Sequence, residues 1–190
     1  MKSNTYKVKI RSATPYMQHR MDDQSLEDWE KNRGLIVERD DIAKEDVVRA
    51  EYHCYTEGDD YYIPSEHFRQ ALIGAGTYIK SKVGASSKSM KYIVAATFMV
   101  TPEKIALPQF DCIDKRSAVN RNNKARIIVI RPKWTQWSAE FELQIRNTTI
   151  TKATIEKLFE YAGCYVGIGS FRPANTGLFG QFELESLTKI

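Results

Sequence analysis

The sequence contains no long hydrophobic run: nowhere do its 190 residues approach the roughly 18 consecutive apolar residues of a membrane-spanning helix. The first ten residues also lack the apolar stretch of a secretory signal peptide. We therefore expect a cytoplasmic protein without a membrane partner.

Cysteine and histidine are scarce, with three residues of each. Cys54, Cys112 and Cys164 lie far apart, form no Cys-x-x-Cys pair and have no histidine at the spacing of metal ligands. We expect three reduced, partly buried thiols, no disulfide framework and no metal site. The sequence also lacks the Gly-Lys-Ser/Thr of a Walker loop and the strand-loop-helix context of a Rossmann fingerprint, so no organic cofactor is implied.

The net charge of +4 conceals a strong asymmetry along the chain. The segment 22–60 contains fourteen acidic and five basic residues and so carries −9, which leaves +13 on the rest. We interpret 22–60 as an acidic insertion within a single domain that spans 1–190. Charge segregated in this way indicates a polyanionic partner for the basic part, although a charge run is also typical of a solvated face.

The densest basic stretch runs from Ile113 to Lys133 and holds seven basic residues against one acidic residue. Asn and Ser residues are mixed into it, and Trp134 and Trp137 follow. This combination favours a nucleic-acid surface, and we predict that 113–127 forms a protruding basic hairpin.

A glycine-rich segment near the C-terminus is the most distinctive feature of the chain. Between Tyr165 and Leu184, four glycines are interleaved with aromatic residues and with Arg172; they are Gly167, Gly169, Gly177 and Gly180. Because glycine has no Cβ, such a loop can bring its backbone close to a ligand, and exposed amide groups in it favour anions such as phosphate. The alternative is a structural turn between a helix and a strand.

Residue periodicity predicts an α+β protein. Alternation gives a first strand in which Tyr6, Val8 and Ile10 face the core. In the first half of the chain we further predict a short helix after Ser25, a helix or a strand in Ala43–Tyr55, a strand at Tyr61–Ile63, and a helix from its N-cap Ser65 to about Lys82. In the second half we predict buried strands at Ile93–Val100 and Ile127–Ile130, a strand at Ala139–Ile145, a helix capped by Thr151 and ended by Gly163, and a last strand after the glycine loop. This order fits a ferredoxin-like or RNA-recognition-like antiparallel sheet with helices on one face.

Two motifs resemble the repeat-associated mysterious protein superfamily, the RNA-binding proteins of CRISPR systems. The glycine-rich loop matches at Gly167, Gly169, Arg172, Gly177, Gly180 and Phe182. The strand-to-helix junction Tyr61–Leu72 is similar to the one that opens the first core helix of that superfamily, and it matches at Ile63, Pro64, Ser65, Phe68 and Arg69. Glu66 and His67 depart from the small residues of the family pattern.

Within the superfamily the chain resembles the backbone subunits that coat guide RNA and uncharacterised single-domain relatives from phages and mobile elements. The resemblance implies a sequence-tolerant binder of single-stranded RNA or DNA that forms a homo-oligomer along the strand. Phe171 or Trp134, if exposed, would stack bases; if Trp134 and Trp137 are core residues instead, other aromatic residues would do so. The residues expected to contact nucleic acid are Gly167, Gly169, Arg172, Gly177, Gly180, Arg69, Lys80, Lys82, Lys88 and, on a thumb-like hairpin, Arg116, Arg121, Lys124 and Arg126.

Two alternatives stay open. Superfamily members that process guide RNA cut it without a metal and use a general base, for which His19 is the candidate here; His53 and His67 are the other histidines. The second alternative is a protein-interaction module that mimics a CRISPR subunit and uses the acidic insertion.

Overall fold

The computed structural model describes residues 3–20, 46–83, 86–119 and 126–190, and for 82–83 and 86–87 it describes the backbone only. The predicted helix after Ser25, most of the acidic segment, and Arg121 and Lys124 lie outside the described residues. No helix within these ranges is long and apolar enough to cross a membrane.

The described residues form twelve strands and four α-helices. The strands are β1 (Asn4–Ser12), β2 (Tyr16–Met17), β3 (Thr56–Glu57), β4 (Asp60–Pro64), β5 (Lys80–Val83), β6 (Ser86–Ser89), β7 (Phe98–Thr101), β8 (Lys104–Leu107), β9 (Cys112–Val119), β10 (Arg126–Trp134), β11 (Ser138–Ile145) and β12 (Phe182–Lys189). The α-helices are α1 (Asp46–Glu51), α2 (Ser65–Ala75), α3 (Lys91–Thr97) and α4 (Lys152–Tyr161). A π-helical turn (Ala162–Val166) continues α4, and Pro173–Asn175 is a 3₁₀ turn.

The central sheet has four strands in the order β12-β1-β11-β7, and all its pairings are antiparallel. Along the chain, α2 lies between β1 and β7, and α4 lies between β11 and β12. This is the βαββαβ arrangement of ferredoxin-like folds, so the predicted α+β fold class is confirmed.

One face of this sheet is buried by the helices. Tyr6, Val8 and Ile10 of β1 are buried as predicted, because alternate residues of a strand point to the same face. Phe68 of α2 stacks on Phe141 of β11 with ring centroids 4.8 Å apart. These contacts fix α2, and the junction that precedes it, on the sheet.

The helix α2 begins where the sequence predicted but ends seven residues early. Ser65 is its first residue rather than a side-chain cap, and its amide donates to the Glu103 carbonyl at 2.8 Å. The prediction that the helix runs to about Lys82 was wrong. The chain leaves the helix at Gly76, where a Cβ would lie 2.9 Å from the backbone of Lys91, and it continues into the β5–β6 hairpin.

The prediction of one buried strand at Ile93–Val100 was also wrong. The segment forms α3 and then β7, and only Val94 of α3 is buried. Arg69 of α2 donates to the Ala95 carbonyl at 2.6 Å and to the Phe98 carbonyl at 3.2 Å, across the change from helix to strand. A long-range contact of this kind leaves no periodic signal in the local sequence.

The second predicted core helix has the expected cap but a different end. The Thr151 hydroxyl accepts a hydrogen bond from the Thr154 amide at 3.3 Å, and Ile155, Leu158 and Phe159 are buried. Gly163 does not end the helix, because the chain continues through the π-helical turn to Val166. Gly163 packs directly against the Phe182 carbonyl, where a Cβ would clash.

A second sheet, of order β2-β10-β9, lies outside the central one. In this sheet β9 and β10 are antiparallel, and their pairing runs from Cys112 opposite Lys133 to Val119 opposite Arg126. Residues 120–125, at the predicted hairpin tip, lie outside the described part of the chain. Cys54 is buried, Cys112 half-buried and Cys164 exposed, and all three are free thiols.

Candidate nucleic-acid interface

The glycine-rich loop, residues 167–181, connects the π-helical turn to β12 and packs against the end of β1 and β2. The Ser170 amide donates to the Met17 carbonyl at 2.9 Å, and the Gly180 amide donates to the Pro15 carbonyl at 2.7 Å. Within the loop, the Ile168 amide donates to the Gly180 carbonyl at 3.0 Å. These bonds tie both ends of the loop to the same short segment of chain.

The glycines of the loop are explained by packing within the protein. Gly169 and Gly180 have φ of +73° and +67°, a region that favours glycine. A Cβ at Gly169 would clash with the Met17 carbonyl, and one at Gly180 would clash with the Ile168 carbonyl. Ligand binding by this loop therefore has to rest on other features.

A cavity of about 470 Å³ lies beside the loop, within the size range of small-molecule sites. One wall is the loop segment Val166–Arg172 together with Asn175. The rest of the lining, here called the second wall, comes from three separate parts of the chain and consists of Gln18, His19, Tyr55, His67 and Gln70. Thus the structure brings His19 and His67 to the same cavity as Arg172.

Arg172 is the cation of this cavity wall. Its guanidinium donates to the Gly169 carbonyl at 3.0 Å, and the residue lines the cavity. Among the described residues, the amides of Gly169, Phe171 and Arg172 make no hydrogen bond. The loop segment therefore has both a positive side chain and backbone amides that lack a partner within the described part of the chain, a combination that suits an anion.

The second wall is polar but uncharged at neutral pH. Burial, followed by the charge of Arg172, lowers the pKa of His67 to about 4, although Glu66 acts in the other direction. Burial, and then the neighbouring His53 and Arg131, also lowers the pKa of His19 to about 4.

Gln18 holds this wall in place. Its side chain is buried, its amide nitrogen donates to the Tyr62 carbonyl at 2.9 Å, and its oxygen accepts from the Tyr55 amide at 2.7 Å. Tyr55 packs edge-on against His67, with ring centroids 5.5 Å apart. Sequence analysis missed Gln18, Tyr55 and Gln70; the only signal was a polar residue at position 18 next to the apolar pair Tyr16 and Met17.

The β9–β10 hairpin contacts the loop through arginines. Arg116 donates to the carboxylate of Asp114 over 2.6–2.8 Å, and its guanidinium lies 4.8 Å from the Phe179 ring centroid. The Phe171 ring centroid lies 5.4 Å from this guanidinium and 4.6 Å from that of Arg131. Cation–π contacts therefore place Arg116 beside the loop.

The other predicted contact residues are more scattered. Arg126 is exposed at the far end of the hairpin, opposite Val119. Lys80 and Lys88 are exposed on the β5–β6 hairpin, where the backbone of Lys82 pairs with Ser87. Arg69 bonds to carbonyls of the fold and forms an ion pair with Glu66 at 2.9 Å. Arg69 thus joins α2 to α3 and to the start of β7 by hydrogen bonds.

Trp134 and Trp137 are both core residues, with 1 % and 5 % of their surface exposed. The indole of Trp134 donates to the Pro108 carbonyl at 2.7 Å. The suggestion that Trp134 stacks bases is therefore wrong, since its ring is not accessible.

The open face of the central sheet carries cross-strand ion pairs. Lys7 lies 3.5 Å from Glu140, Lys9 lies 3.6 Å from Glu185, and Arg11 lies 2.7 Å from Glu183. The outward residues of β1, β11 and β12 include no aromatic side chain. RNA-recognition domains stack bases on aromatics at this face, so this chain does not offer that mode of binding.

Comparison with known proteins identifies no family for this chain. No family model and no curated protein matches the chain. Among solved structures, it resembles a chain from the cryo-EM structure of the Type III-B Cmr-beta bound to cognate target RNA, with 13 % identity and a TM-score of 0.48. The alignment covers 100 % of this chain but 61 % of the other, so this chain spans about three fifths of its length. Likeness at this level assigns neither a family nor a function.

Proposed function

We propose that this protein binds single-stranded nucleic acid and places a nucleotide unit in the cavity beside the glycine-rich loop. The observation that carries the proposal is the pairing of Arg172 with an uncharged polar wall across one cavity. A phosphate would pair with the Arg172 guanidinium through charge-assisted hydrogen bonds. The imidazole of His67 and the amide of Gln70 can donate and accept hydrogen bonds, which suits a sugar or a base.

The distribution of charge supports a polymeric rather than a mononucleotide ligand. The 36 residues from His67 to Pro102 contain five Lys or Arg residues and no Asp or Glu. Exposed cations also lie on the β9–β10 hairpin, at Arg116 and Arg126. Neutralising several phosphates at once releases counterions and gives strongly salt-dependent binding.

The sequence resemblance to the repeat-associated mysterious protein superfamily supports the same function. Its glycine-loop motif ends in the strand β12, and its junction motif opens the helix α2, so the two motifs lie on elements of the central fold. We include assembly of several copies along one strand in the proposal. This assembly is measured by the number of protein chains that bind to each oligonucleotide in a series of increasing length.

Replacing Arg172 with alanine should weaken binding to single-stranded oligonucleotides about tenfold, because a charge-assisted contact to phosphate is lost. The salt dependence, measured as the slope of log K against log salt, should fall by about one. Fluorescence anisotropy with labelled single-stranded RNA, single-stranded DNA and duplex at several salt concentrations measures both quantities and identifies the polymer.

Arg146→Ala is the matched control, since Arg146 is an exposed arginine just beyond β11 and does not line the cavity. We expect this variant to bind like the parent protein. Equal losses from the two variants would show that Arg172 acts only as one of many surface charges. Absence of binding to any single strand at low salt would overturn the proposed function.

A metal-independent ribonuclease is the second candidate, because His19 and His67 line the same cavity. RNA cleavage needs a base for the 2′-hydroxyl and an acid for the leaving oxygen, both within hydrogen-bond reach. With pKa values near 4, both imidazoles are neutral at pH 7 and are better placed to accept a proton than to donate one.

If the protein is an enzyme, His19→Ala should abolish cleavage of single-stranded RNA and leave binding intact. Single-stranded DNA, which has no 2′-hydroxyl, is the uncleaved control. RNA that stays intact on gels after incubation with the parent protein would exclude this candidate. A protein partner that copurifies after nuclease treatment would instead favour the protein-interaction module.

A further inference from the structure

Three tyrosines, here called the tyrosine cluster, contact one another beside the cavity. Tyr165 lies 5.4 Å from Tyr78 and 5.4 Å from Tyr161 between ring centroids, and Tyr78 lies 6.1 Å from Tyr161. Tyr78 is 57 % exposed and Tyr165 is 50 % exposed. Mutual contact holds these rings in place while much of their surface stays open to a ligand.

The tyrosine cluster adjoins the cavity wall. Tyr165 belongs to the π-helical turn, and the next residue, Val166, lines the cavity. Val166 also packs on α2, where a Cβ at Gly74 would lie 3.0 Å from its side chain. Tyr165 and Val166 are neighbours in the chain, so the tyrosine cluster lies close to the cavity lining.

Two cations lie near the tyrosine cluster. Tyr78 belongs to the acid-free stretch from His67 to Pro102, and the exposed Lys80 follows two residues later. The ammonium group of Lys157 lies 5.5 Å from the ring centroid of Tyr161. Exposed aromatic rings with cations around them are the combination that single-stranded nucleic acids bind.

We infer that the tyrosine cluster is a second contact site for single-stranded nucleic acid, on which bases stack after the strand leaves the cavity. This inference rests on the proposed function and extends the same interface. Stacking on an aromatic ring is tolerant of sequence, because every base has a π-face. Lys80 and Lys157 offset the charge of the phosphates between the stacked bases.

The double variant Tyr78→Ala/Tyr165→Ala tests the inference by fluorescence anisotropy. A mononucleotide should bind the variant and the parent equally, because the proposed function places one nucleotide unit in the cavity. A single strand of about twelve nucleotides should bind the variant about tenfold more weakly. The variant Tyr78→Phe/Tyr165→Phe should bind like the parent, since it keeps the rings and loses only the hydroxyls.

Tyr92→Ala is the matched control, because Tyr92 is 78 % exposed on α3 and contacts none of the three rings. It should bind the long strand like the parent. The inference is overturned if the double alanine variant also does so while Arg172→Ala still weakens binding. If the parent binds no oligonucleotide, the proposed function itself fails, so the two failures are distinguishable.

Discussion

Replacing Gly180 with alanine should lower the free energy of unfolding by on the order of 4 kcal/mol. Two costs add here. Gly180 has φ of +67°, which strains any residue with a Cβ, and the new methyl group would clash with the Ile168 carbonyl. The backbone cannot easily move away, because the Gly180 amide is bonded to Pro15 and its carbonyl to the Ile168 amide.

Gly58→Ala separates the two costs. Gly58 has φ of +59°, but no atom lies within 4 Å of the position that its new methyl group would take, so it carries the backbone strain without the clash. We expect a loss of about 1 kcal/mol for this variant. Urea denaturation at constant m-value gives both numbers. Equal losses from the two variants would show that the loop relaxes around the methyl group.

The same substitution at Gly180 should also reshape the binding site. Ile168 lies between Gly167 and Gly169 in the cavity wall, so a displacement of its carbonyl shifts the segment that carries Arg172. The folded fraction of Gly180→Ala should therefore bind oligonucleotides more weakly than the folded fraction of Gly58→Ala. This coupling explains how a glycine can matter for binding without touching a ligand.

The central fold was predictable because its signals are local and periodic. Tyr6, Val8 and Ile10 alternate with Lys7 and Lys9, and alternation specifies a strand with one buried face. The order of strands and helices then restricts the topology to a few choices, one of which is the ferredoxin-like sheet. The errors fall where contacts between distant segments decide the structure, as at the junction of α3 and β7 that Arg69 bridges.

The candidate site was only half predictable for the same reason. The glycines and Arg172 lie in one short stretch, so their spacing marked the loop. Gln18, Tyr55 and His67 come from segments that only the fold brings together, and no sequence spacing links them. The sequence also could not show that the glycines allow close packing of the protein backbone rather than close approach of a ligand, since both explanations require glycine.

Acidification should destabilise the protein through His67. Its pKa is about 4 in the folded protein and near the usual 6.5 in the unfolded chain. Between these values the unfolded chain takes up a proton that the folded protein does not. Stability should therefore be fully present above pH 6.5 and fall by on the order of 2 kcal/mol as the pH drops to 4.

His67→Gln isolates this contribution, because glutamine can form hydrogen bonds but does not titrate. Urea denaturation from pH 7 to pH 4 measures the free energy of unfolding of both proteins. As the pH falls, the parent should lose more of this free energy than the variant does. His19 titrates in the same range, so parallel loss of stability in parent and His67→Gln would assign the effect to other groups.

Arg172→Ala should raise the pKa of His67, because the positive charge of Arg172 helps to keep the imidazole neutral. A smaller acid-dependent loss in that variant would link the cation proposed to bind phosphate to the histidine across the cavity.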